Sequence, residues 1–129
     1  MPTVTALYTG LCILLLLFLA LRVVVVRRRE RIGLGTGGSR GLEQRVRAHA
    51  NATEYLPVAL VGLLLVELSG YPSGLVHALG LTLLVSRAAH AWGLAQSAGT
   101  SLGRFWGTFG TWLMLLVTAA ALVWRGLPF

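Results

Sequence analysis

Three polar side chains at the edge of one oily stretch carry the chemistry of this sequence: Arg47, Asn51 and Glu54. Spaced i, i+4 and i+7, they fall along one face of a helix. Tyr55 and Pro57 complete the run, and Val58 to Val66 continues it with residues oily enough to enter a bilayer. A charged side chain at the centre of a membrane helix costs about 2.5–3.5 kcal/mol on insertion scales, so it marks function by default.

A second oily stretch carries Arg87 and His90, spaced i, i+3 and therefore also on one face. Measured from the ends of the two stretches that antiparallel helices would bring together, Glu54 and Arg87 both lie about 12 Å deep. They are expected to meet at one level of a helix bundle. A Glu54–Arg87 ion pair would let both residues insert, yet it leaves Arg47, His49, Asn51, Tyr55 and His90 in the same half unexplained. A buried pair also stabilises little against an apolar replacement. An arginine-rich pocket with one carboxylate suits a small anion that also bears an amine, because guanidinium forks bind carboxylates bidentately and a carboxylate takes an ammonium.

The elements that must position these groups follow from hydropathy. The chain of 129 residues is 56% hydrophobic, with a mean hydropathy of +0.77, which places it among integral membrane proteins. Four apolar stretches, residues 4–26, 46–68, 73–95 and 104–125, each hold about 20 residues, enough to cross a hydrocarbon core of roughly 30 Å. Residues 1–129 therefore read as a single all-α membrane domain, a four-helix bundle. The first stretch has no basic leader and runs into arginines, as a retained span does and a cleaved signal does not. So short a bundle has little interior of its own, and its subunits are expected to associate.

The net charge of +7 comes from eleven arginines and four glutamates, without lysine or aspartate. Arginines 27, 28, 29, 31, 40, 45 and 47 cluster around the connection between the first two spans. The positive-inside rule puts that connection in the cytoplasm and both termini on the other side, with the arginines in contact with anionic lipid. No aromatic interleaving or binding fold supports a nucleic-acid partner.

The glycine-rich run from Gly33 to Gly41 follows no strand and precedes no Gly-Lys-Ser/Thr, so it reads as a connector rather than a phosphate loop. Ser69 to Pro72 is a tight turn between antiparallel neighbours. Gly103, Gly107 and Gly110 allow close helix approach at the start of the fourth span. Cys12 is a small buried hydrophobe, and three scattered histidines give no zinc spacing.

The run Arg47-Ala48-His49-x-Asn51-x-x-Glu54-Tyr55-x-Pro57 resembles the second-helix signature of the MAPEG family, membrane-associated proteins in eicosanoid and glutathione metabolism. The third span, Ser86-Arg87-Ala88-Ala89-His90-Ala91-Trp92, is similar to the family's arginine-containing third helix, and the resemblance extends over nearly the whole chain. It is most like that of small bacterial members, which implies a bacterial inner membrane protein.

The resemblance implies a homotrimer that binds glutathione, as co-substrate, between neighbouring subunits. Arg47, Asn51, Glu54 and Tyr55 match glutathione-contacting positions of the second helix, Arg87 matches a contact on the third, and His90, at a position where relatives have His or Tyr, is expected to join them. A tyrosine of several relatives is Leu94 here. The catalytic arginine of the family is approximated by Arg104, although Phe105-Trp106-Gly107 follows it rather than proline. Arg27 is the nearest candidate for a contributing first-helix arginine, with Arg22 and Arg28 as alternatives.

The implied chemistry is thiolate attack on a lipophilic electrophile or lipid hydroperoxide, with arginine stabilising the thiolate. The alternatives are a non-catalytic lipid- or thiol-binding protein of the same family and a small transporter.

Overall fold

The computed structural model describes residues 1–97 and 99–128. Four helices follow one another: α1 (Thr3–Glu30), α2 (Arg40–Leu68), α3 (Ser73–Gln96) and α4 (Leu102–Gly126). Among the described residues there is no strand, so the architecture is an all-α bundle. α2 and α3 form the central pair, in contact with each other. α1 flanks them on one side and α4 on the other, and α1 and α4 do not meet.

α1 is apolar around most of its circumference, and Leu14, Leu17, Phe18, Leu21 and Val25 are all exposed. A helix oily on every face and covered on only one belongs in lipid. α1, α2 and α4 are each long and apolar enough to cross a membrane. α3, counted as a fourth span from sequence, falls short of that hydropathy. The reason is its position: its buried side includes Ser86, Arg87 and His90 beside Leu83 and Ala91, and neighbouring helices rather than lipid meet them.

The helix ends are fixed by side chains. Ser39 Oγ accepts the Leu42 N–H at 3.2 Å and starts α2. That start lies six residues before the apolar stretch begins, so Arg40 to Arg45 are helical rather than connector. Arg27, Arg28 and Arg29 occupy the last turn of α1, where cations complement the helix dipole. Arg27 also donates to the Gly35 carbonyl at 2.9 Å and the Ile32 carbonyl at 3.3 Å, folding the connector back on α1. At the opposite end Glu67 accepts the Val4 N–H at 3.0 Å and the Thr5 N–H at 2.7 Å, so the end of α2 caps the start of α1. Tyr71 donates to the Ala121 carbonyl at 2.7 Å and ties the α2–α3 turn to α4.

The core runs along the contact of α1, α2 and α3, with Cys12, Leu19, Leu56, Ala59, Leu63, Val76 and Leu83 buried in it. α3 and α4 approach more closely, through glycine. A Cβ on Gly107 would lie 2.6 Å from both the His90 backbone nitrogen and the Ser86 carbonyl oxygen, and one on Gly103 would lie 2.8 Å from the Ala89 carbonyl oxygen. The small-residue spacing of the fourth span therefore sets this contact.

Candidate functional site

Arg87 is the hub of the polar interior and is 2% exposed. From α3 its Nε donates to Thr111 Oγ1 of α4 at 2.9 Å. One terminal nitrogen donates to Asn51 Oδ1 of α2 at 2.6 Å, and the other to the Gly107 carbonyl of α4 at 3.0 Å. The guanidinium carbon sits 5.0 Å from the centre of the Tyr55 ring. A buried unpaired guanidinium would cost several kcal/mol, and this one is satisfied by neutral acceptors and an aromatic face. Thr111 in turn donates to the Gly107 carbonyl at 2.8 Å.

The expected meeting of Glu54 with Arg87 does not occur. At about 100° per residue, Glu54 is turned some 60° from Asn51 and falls beside Arg47. Arg47 and Glu54 are both exposed, roughly opposite the buried Ala48, Ala52 and Leu56 of the same helix. Arg87 meets Asn51 and Tyr55 of the same stretch of α2, and rotation around the helix decides the partner. Tyr55 stays with the network, and its hydroxyl accepts the Trp112 Nε1 proton at 3.0 Å.

Beside this network, toward the connector end, lies a polar cavity of about 250 Å³. Its wall takes Arg40, Glu43, Gln44, Arg47 and Asn51 from α2, His90 and Leu94 from α3, and Arg104 from α4. Four of the residues expected at the site, Arg47, Asn51, His90 and Arg104, thus converge on one space. Arg87 is one layer below, holding Asn51. Arg40, Glu43 and Gln44 lie before the apolar stretch that begins at residue 46. Their spacing to Arg47 and Asn51 continues the same stripe backward by two turns, which was the available signal.

Arg27 does not line this cavity; its side chain is engaged with the connector. Arg104 is half-buried in the first turn of α4, where its N–H donates to Ser101 Oγ at 3.3 Å and its guanidinium to the Gly99 carbonyl. On the other side of Arg104 lies an apolar groove of about 400 Å³. Phe105, Phe109 and Trp112 form much of its wall, and His90 and Arg104 form its boundary with the polar cavity. Among the described residues, no three of His, Cys, Asp and Glu converge as a metal site.

An arginine-lined polar space thus opens next to an aromatic groove in a helical membrane protein. Comparison with known proteins gives the same direction. The inner membrane protein YecN of two Escherichia coli strains is 36% identical over 121 residues, which is 94% of this chain and 91% of the relative. The model of the MAPEG family matches residues 5–124, nearly the full length. This chain therefore belongs to the MAPEG family.

Proposed function

We propose that this protein is a glutathione transferase or peroxidase of the bacterial inner membrane that acts on lipophilic electrophiles. The observation that carries this reading is that His90 and Arg104 line both the polar cavity and the apolar groove. A hydrophilic thiol in one and a lipid-derived molecule in the other would meet at Arg104.

Arg104 would stabilise the thiolate electrostatically. The thiol of a free cysteine has a pKa of about 8.5, lowered beside cations. Arginine does not deprotonate in proteins, so the thiol proton leaves to solvent through the open polar cavity. The thiolate sulfur then bonds to an electrophilic carbon and displaces its leaving group. With a hydroperoxide it attacks the outer oxygen, releasing an alcohol, and a second glutathione reduces the resulting sulfenate to disulfide and water. Holding both reactants together and presenting a fixed cation supply the acceleration.

A homotrimer accounts for the outward face of α2. Arg47 and Glu54 are exposed on a helix long and apolar enough to cross the membrane, and lipid is a poor solvent for either charge. A neighbouring copy covering that face would bring Glu54 toward the cavity from outside, consistent with glutathione bound between subunits. The arginine-rich α1–α2 connection lies in the cytoplasm in this reading, with both termini on the other side.

The test is stopped-flow absorbance of the thiolate when purified protein meets glutathione, followed by conjugation of a chlorinated nitrobenzene. Thiolate formation and turnover support the proposal. Glutathione binding with neither signal across a panel of electrophiles would make the chain a non-catalytic thiol-binding member.

A further inference from the structure

His90 and Arg104 are the two residues common to the polar cavity and the apolar groove. His90 is 7% exposed, and among the described residues no group hydrogen-bonds to its ring. The root of the side chain is fixed, since a Cβ on Gly107 of α4 would lie 2.6 Å from the His90 Cβ. An imidazole carries two nitrogens that need hydrogen-bond partners when buried. For His90 the partners must come from the two spaces it borders.

The two reactions proposed above make different demands there. Displacing chloride from an aromatic carbon releases an anion that is stable without a proton. Thiolate attack on the outer oxygen of a hydroperoxide breaks the O–O bond, leaves OH on the sulfur, and expels an alkoxide that must take up a proton. An apolar groove holds little water to supply it. The Arg104 guanidinium does not release a proton, and the hydroxyls of Thr100, Ser101 and Thr108 in the groove wall are too weakly acidic. Imidazole is the group in that wall that exchanges protons near neutral pH.

We propose that His90 is a proton relay between the two spaces: one ring nitrogen gives its proton to the departing alkoxide in the groove while the other takes one from water in the polar cavity. The assignment rests on the glutathione reading above. The proton that the thiol released to solvent thereby returns as the proton of the alcohol. Thiol and hydroperoxide become sulfenic acid and alcohol with no net proton consumed. The imidazole ends neutral, and exchange with water restores its starting tautomer.

The experiment measures single-turnover rates from the preformed thiolate, on full-length protein in lipid nanodiscs, with cumene hydroperoxide and with a chlorinated nitrobenzene. Both are read on one sample, so the folded fraction cancels in their ratio. His90→Asn keeps a hydrogen-bonding side chain that cannot pass a proton. It is expected to lower the ratio of peroxidase to transferase rate about a hundredfold, the scale of general acid catalysis. His90→Ala is expected to do the same, and added imidazole to raise its peroxidase rate about tenfold without a matching gain in conjugation. A ratio that stays near the wild-type value in either variant, or a peroxidase loss that imidazole does not relieve, overturns the relay. Wild-type protein that conjugates but reduces no hydroperoxide also overturns it and leaves the transferase reading standing. Wild-type protein that forms no thiolate and turns over neither substrate overturns the glutathione reading and the relay with it.

Discussion

Arg87 of α3 donates to Asn51 of α2 across 2.6 Å, and the same guanidinium holds Thr111 and the Gly107 carbonyl of α4. Three helices thus share one cation at the floor of the polar cavity. Arg87→Met would leave the Asn51 amide oxygen short of its donor, while the Gly107 carbonyl keeps the Thr111 hydroxyl. Leaving one such group unpaired costs about 1–3 kcal/mol. The expected result is a thermal midpoint lowered by several degrees in detergent, together with weakened glutathione binding. Arg87→Lys should recover little, since an ammonium is compact and cannot span three acceptors in the plane of a guanidinium.

Arg104 stands at the boundary of the two spaces and is expected to act on rate more than on affinity. Arg104→Ala should remove the thiolate absorbance and lower kcat about 10²–10³-fold, as removal of a preorganised electrostatic group does elsewhere. Glutathione affinity by calorimetry should fall far less, because Arg40 and Arg47 remain in the wall. Equal loss of affinity and rate would make Arg104 a binding group only.

Gly107 has no room for a side chain. A Cβ there would come within 2.6 Å of the His90 backbone, so Gly107→Ala must part α3 from α4. Overpacking of this kind costs about 1–3 kcal/mol. It should also shift His90 and Arg104 against each other, so turnover is expected to fall even where the folded population is restored by cooling. Thermal unfolding and single-turnover rates on one sample separate the two effects.

Glu67→Gln tests the inter-helix cap. The variant keeps one oxygen acceptor and loses both the second and the negative charge that faces the amino end of α1. A loss of about 1 kcal/mol is expected, as for other helix caps. Hydrogen exchange at the Val4 and Thr5 amides should accelerate, while the amides of α3 stay protected.

Hydropathy and arginine placement make the four helices legible because both are bulk properties of long segments. The α2 stripe is legible in part. Arg47 and Asn51 share a cavity because i, i+4 residues share a face. Glu54 does not join Arg87, because the three-residue step from Asn51 turns it about 60° away, and the buried guanidinium takes Asn51 as its acceptor. Arg40, Glu43 and Gln44 are not legible as cavity residues for another reason: the helix starts before the apolar stretch does, and only the Ser39 cap marks the true start. The aromatic groove is not legible in the sequence, because Phe105, Phe109 and Trp112 form a wall only when α4 is set against α3 and His90.

The cap that Glu67 places on α1 also has a timetable. The carboxylate and the Val4 amide it holds are 63 residues apart in the chain. At ordinary rates of synthesis of about 5–20 residues per second, the first turn of α1 waits roughly 3–13 seconds for its acceptor. Until then its amides must be served by water. The cap on the non-arginine end of α1 can therefore form only after the whole of α2 has been made, which couples the seating of the first helix to that of the second.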